Sequence, residues 1–201
     1  MHRITCTGHV RLFVAVTPPD DILRALARAA EAAKGAPDAS RLRWAQPESW
    51  HLTLAFLGEV DEADVPELTE RLGRAARRHA VMTLSLTGAG RFGDRTLWAG
   101  VSGETAALER LAASVAAGAR RTGIEVEERA FRGHLTLARS RPHHRTNLRP
   151  FVDLLAPFAS RPWTADRIEL ICSHPPELGA VGAQPRYETI GTWPLGHREG
   201  L

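Results

Sequence analysis

The sequence predicts an α+β protein built from two similar lobes, and three observations carry that prediction. The stretch HLTLA occurs at 51–55 and again at 134–138, 83 positions on. Helix-like and strand-like segments follow one another in a coarse repeated order around the two copies. No Pro-, Ser- or Gly-rich linker separates the halves, so one bilobal unit over 1–201 is expected, with 1–9 as a flexible leader. A chain of 201 residues that is 43% hydrophobic and 24% charged can bury a core without staples.

Taken in order, the first strand is Arg11 to Val16, an aliphatic run closed by Thr17-Pro18-Pro19. Asp20 and Asp21 put negative charge in the first turn of a helix whose buried face is Ile22, Leu26, Ala29 and Ala33, with Gly35 as its stop. Leu42 to Trp44 reads as a short strand, and Pro47-Glu48-Ser49 turns the chain into the first HLTLA copy, which Gly58 should end. Asp61-Glu62 opens a second helix with Val65, Leu68, Leu72 and Ala76 on one face; Pro66 is tolerated because it lies in the first turn. Strands Met82–Leu86 and Thr96–Val101 follow, joined by turn residues Arg91-Phe92-Gly93-Asp94. A third helix, about Thr105 to Thr122, buries Leu108, Leu111, Val115 and Ala119 and stops before Gly123. After the second copy, Asn147 can cap a short helix to about Ala156, and Arg167–Cys172 and Tyr187–Trp193 read as late strands.

Both HLTLA copies alternate polar with aliphatic residues, the period of a strand with one buried face. Leu52 and Leu54, or Leu135 and Leu137, point into a core, while His51 and Thr53, or His134 and Thr136, point away from it, about 7 Å apart at two strand steps. One HxT triplet is common by chance, but two identical pentapeptides at equivalent places in a short chain point to a pocket lined by two His and two Thr. Such a pair suits in-line attack at phosphorus. One imidazole takes a proton from the nucleophile and the other gives one to the leaving oxygen, and a group titrating near 6.5 can be held in either state. The Thr hydroxyls would steady charge on the non-bridging oxygens. Symmetry alone leaves open which His is the acid.

The paired motifs, HLTLAFLG at 51–58 and HLTLARS at 134–140, resemble the two HxTx signatures of the 2H phosphoesterase superfamily. The chain is similar above all to its RNA 2',3'-cyclic phosphodiesterase branch, historically called 2'-5' RNA ligases. RLFVAV at 11–16, RW at 43–44, LWAGV at 97–101 and RYETIGTWPL at 186–195 extend the likeness from about Arg11 to Leu195. Gly133 stands where that branch usually has Pro. The resemblance implies two pseudo-symmetric lobes, each with an antiparallel sheet flanked by helices, and an active-site cleft between them. It implies metal-independent opening of RNA 2',3'-cyclic phosphate ends to 2'-phosphates, with His51 as proton donor and His134 as proton acceptor. Thr53, Thr136 and Arg139 would bind the substrate. Strict alternation puts Arg139 on the Leu135 side, so it must act from the strand's end or through a bulge.

No cofactor is expected. There is no HExxH, Cys172-Ser173-His174 lacks zinc-site spacing, and no GxxxxGK[ST] offers machinery for ATP-driven ligation. Cys6 and Cys172 form no CxxC, and no run of about 20 apolar residues or secretory signal is seen, so a cytoplasmic protein with no membrane partner is expected; a monomer is also expected, although no residue pattern sets the oligomeric state. The partner expected is RNA ending in a 2',3'-cyclic phosphate. Net charge is +3, and residues 129–152 hold six Arg, three His and no acidic residue. Trp50 and Phe56 border the first motif, where core packing outweighs base stacking, and His143, His144, His174 and His197 read as solvated. Competing readings are 2'-5' RNA ligation, hydrolysis of another small cyclic phosphate, and a non-catalytic RNA-binding module.

Overall fold

The computed structural model describes residues 8–127, 130–141, 145–176 and 184–196. Among the described residues there are nine strands: β1 (His9–Val16), β2 (Leu42–Trp44), β3 (Leu52–Asp61), β4 (Met82–Phe92), β5 (Thr96–Gly103), β6 (His134–Ser140), β7 (Trp163–Ala165), β8 (Arg167–His174) and β9 (Arg186–Pro194). The helices are α1 (Asp20–Lys34), α2 (Val65–Arg77), α3 (Thr105–Arg120) and α4 (Arg149–Leu155). The strands form one antiparallel sheet in the order β7-β4-β5-β6-β3-β1-β8-β9, with β2 paired to β6. The two HLTLA copies meet in its middle, where Leu52 pairs with Leu135. That junction joins a half made of β3, β1, β8 and β9 to a half made of β2, β6, β5, β4 and β7.

Alternation sets the two faces. Leu52 and Leu135 are fully buried, each worth about 1.5–3 kcal/mol of transfer free energy. They lie in one large core with Leu12, Val14, Leu84 and Leu97. Helices cover this face. α2 and α3 pack on each other, α2 also meets β9 and α3 meets β3, while α4 lies on β4 and β5 with α1 against it. The expected helix faces are largely seen: α1 buries Ile22, Leu26 and Ala33, and α3 buries Leu108, Leu111, Val115 and Ala119. Ala29 and Val65 only pack against the core's edge. Asn147 accepts from the Arg149 backbone N–H at the start of α4, as its side chain predicts.

Several boundaries differ from expectation, among them the start of β1, which at His9 lies inside the expected leader, whose residues 1–7 are outside the described ones. Gly58 does not end the first motif strand. At φ 68° it takes up a register shift, where Leu12↔Gly58 gives way to Phe13↔Phe56, and β3 continues to Asp61. β4 and β5 run on to Phe92 and Gly103 because small residues let them pass close to a large ring: a side chain at Gly90 would collide with Trp98, its cross-strand partner. β7, three residues long, pairs with Met82–Leu84 and is too short for any periodicity to reveal.

Candidate active site

The face opposite the core carries the polar half of both motifs. His51, Thr53, His134 and Thr136 are all half-buried, whereas Leu52, Leu54, Leu135 and Leu137 are buried. With Leu52 opposite Leu135 in antiparallel register, the next residues outward place His51 across from Thr136 and Thr53 across from His134. The four predicted side chains therefore share one patch at the junction of the two halves. Neither Thr hydroxyl bonds a described residue, which leaves both for a ligand.

His134 Nδ1 donates to the Arg132 carbonyl oxygen at 2.7 Å, since a carbonyl can only accept, and this bond sets the tautomer of the ring. At His51 the Ser49 backbone, also two residues upstream, favours the charged form.

Their surroundings differ. His51 stacks on Phe13 at 4.5 Å between centroids and 29° between planes, with Tyr187 edge-on at 5.4 Å. Burial pushes its pKa down to about 4; the Ser49 bond opposes this, and the charge of His134 adds to the depression. This last contribution shows that the two rings feel one another. His134 instead meets the edge of Phe92 at 4.8 Å and lies 6.1 Å from Trp98, over which the Arg132 guanidinium sits at 4.7 Å.

Arg139 reaches the site face through a bulge, one of the two routes expected for it. On β6 the pairing steps from Trp98↔Thr136 to Leu97↔Ala138, so Leu137 is the extra residue and Arg139 returns to the side of His134 and Thr136. There it contacts Thr96 Oγ1 at 3.4 Å and bears on Tyr187. On β3 the step from Ala15↔Thr53 to Val14↔Ala55 leaves out Leu54, the equivalent residue, and Phe56 takes the place that Arg139 has in the other copy. Half-exposed Phe56 lies 6.1 Å from Phe13, so it belongs to the site face and not to the core. Trp50 is core, at 2% exposure.

Phe13, Tyr187, Phe92, Trp98 and Arg132 were not anticipated. Phe13 sits inside an aliphatic run and Tyr187 is 136 positions from His51, so only the sheet order unites them. Phe13, Ala15 and Ile171 form a second small apolar cluster, with Tyr187 against it, on the motif side of the sheet. His174 pairs with Glu188 at 3.0 Å, away from the motif strands; His143, His144 and His197 lie outside the described residues. A cavity of about 350 Å³ beside Arg132 and Gly133 is lined also by Trp98, Thr105 and Glu109. Neither motif histidine lines it; both lie on the open sheet face. Among the described residues no three His, Cys, Asp or Glu side chains cluster as metal ligands, and no helix is long and apolar enough to cross a membrane.

The family model described as LigT-like phosphoesterase matches this chain twice, over residues 16–101 and 99–180, once around each motif. The chain belongs to the LigT-like phosphoesterase family. Two matches to one model in tandem agree with the internal repeat and with the equivalent bulges. Among curated relatives, the RNA 2',3'-cyclic phosphodiesterase of Geobacillus stearothermophilus is 33% identical over 156 residues, 76% of this chain and 47% of that protein. The chain thus matches about half the length of that relative. The protein of the same name from Escherichia coli is 35% identical over 130 residues, 64% of this chain and 71% of that one. The crystal structure of E. coli LigT in apo form covers 95% of this chain and 100% of its own, with a TM-score of 0.75 and 28% identity. E. coli LigT has also been solved with 3'-AMP. These family members share the α+β fold described here.

Proposed function

We propose that this phosphoesterase opens 2',3'-cyclic phosphate ends of RNA to 2'-phosphates, without a metal, through His51 and His134. The observation that carries the reading is the junction of the motif strands, which sets the two motif imidazoles and two hydroxyls with no partner among the described residues on one patch. The names of the curated relatives supply the cyclic phosphate and the RNA; the cytoplasm is the reading that two cysteines without a CxxC pair support.

The phosphate lies between the rings, with Thr53 and Thr136 donating to its non-bridging oxygens. His134 accepts a proton from a water molecule, whose oxygen attacks phosphorus opposite the 3' oxygen. The P–O3' bond breaks, His51 passes its proton to O3', and a 2'-phosphomonoester and free 3'-hydroxyl result. Assigning donor to His51 and acceptor to His134 rests on the family resemblance. With a pKa near 4, His51 is uncharged at neutral pH in the free protein. The bound anion raises that pKa and loads the donor, so substrate binding takes up a proton. Arg139 adds a guanidinium to the same phosphate from the bulged end of β6.

The test is to incubate the protein with oligonucleotides ending in 2',3'-cyclic phosphate, with chelator and without ATP, and to resolve the products. Exclusive 2'-phosphate is expected. A 3'-phosphate product, or no turnover, would refute the reading, and joined 2'-5' products alone would favour ligation.

A further inference from the structure

Arg43 has no role in the chemistry above, yet its position is unusual. In the β2–β6 ladder Arg43 lies directly opposite Arg139, flanked by Leu42↔Ser140 and Trp44↔Ala138. Directly opposed residues on antiparallel strands share a face, with Cβ atoms about 4.5–5.5 Å apart. Because the bulge at Leu137 turns Arg139 to the side of the histidines, Arg43 is turned there too. Both are exposed. Like charges in this arrangement repel, and among the described residues no carboxylate pairs with either one. Neighbouring cations behave otherwise: Arg41 pairs with Asp38, and Arg141 donates to the Ser40 carbonyl. Arg11 on β1, which lies opposite Glu59, joins Arg139 in bearing on the Tyr187 hydroxyl from the other half of the sheet. The uncompensated positive charge therefore runs outward from Thr136 along one line, from Arg139 to the next strand at Arg43, about 4.8 Å farther.

We propose that Arg43 forms a second phosphate subsite beside Arg139, which bridges it to the reacting phosphate, and that this subsite holds the phosphodiester one nucleotide upstream of the reacting end. This deepens the reading above and rests on it. A phosphate between two guanidiniums on adjacent strands removes their repulsion and accepts from both. The subsite makes the protein select an RNA end over a free nucleoside 2',3'-cyclic phosphate, which has nothing to place there. It also sends the RNA out over β2.

Three substrates separate the effect: a nucleoside 2',3'-cyclic phosphate, the same compound with a 5'-phosphate, and a short oligonucleotide with the same end. In the parent protein kcat/KM should rise with the first added phosphate. In Arg43→Ala the advantage of the second and third substrates over the first should shrink about tenfold, the effect of one charge-assisted contact. Arg43→Lys should restore part of it, and Arg74→Ala, on the far helix α2, should leave the ratio alone. Independently of turnover, binding of single-stranded RNA ending in a 2'-phosphate should lose about 0.7 from its salt slope in Arg43→Ala. An unchanged ratio and slope, or an equal loss on all three substrates, would overturn the subsite. Failure of the parent to open any of the three would instead sink the proposed reaction, and the salt slope would still report on Arg43.

Discussion

The two motif strands begin with the same five residues, and the structure gives them different environments. His51 is packed against Phe13 and Tyr187 and held uncharged, while His134 meets Phe92 edge-on beside the guanidinium of Arg132. Five residues past each histidine, equivalent bulges bring Phe56 to the site in one half and Arg139 in the other. In the proposed reaction the duplicated motif supplies two proton carriers, and what packs around each copy divides the work. The first half offers that reaction a desolvated ring, and the second a ring with cationic company.

The sharpest way to break this comparison is to delete each ring. His51→Ala and His134→Ala should each lower kcat by about 100- to 10,000-fold, with far-ultraviolet circular dichroism unchanged. If one variant keeps near-parental turnover, the division of labour is wrong. The hydroxyls come next: Thr53→Val and Thr136→Val should each cost about 100-fold in kcat, because a preorganised donor to the transition state is lost. Exchanging the bulge residues sharpens the contrast further. Arg139→Phe should raise KM by roughly 10-fold or more through the lost phosphate contact, whereas Phe56→Arg should leave KM within a few-fold.

The smallest expected effect is on pH. The limb set by His51, which must carry a proton to act, is the upper one: kcat/KM, which reports the free protein, should decline as pH rises above about 4, whereas kcat should hold to higher pH because bound phosphate raises the His51 pKa. Coincident limbs would contradict the comparison. The sign for stability follows from the same depression. The unfolded chain binds a proton at His51 below about pH 6.5 and the folded chain only near 4, so stability falls as pH drops through that window. Phe13→Ala, which opens the ring to water, should weaken this acid sensitivity in thermal melts.

Much of this was legible in the sequence. Alternation in HLTLA sorts leucine from His and Thr correctly, and the helix faces follow from spacing, because burial repeats with the local period. The bulges were not, since a bulge is a mismatch between two strands and only the register displays it. Arg139 shows this well: strict alternation turns it into the core, and one unpaired Leu137 turns it back. Phe56 is the mirror error, read as core beside the motif but carried to the surface by the bulge at Leu54. The aromatic frame of His51 comes from β1 and β9, which lie beside it only through the β3-β1-β8-β9 order. Nothing local in RLFVAV marks Phe13 as facing the histidine. The unopposed arginines were visible as a basic segment, although the one facing Arg139 comes from position 43, outside that segment.

The central claim is that one phosphate touches both rings. The direct measurement is a pH titration of the histidine ring signals by nuclear magnetic resonance, with and without a nucleoside 2'-monophosphate. Both His51 and His134 should shift on binding, and the His51 pKa should climb from about 4 toward neutrality. A response from only one ring, or an unmoved His51, would contradict the account.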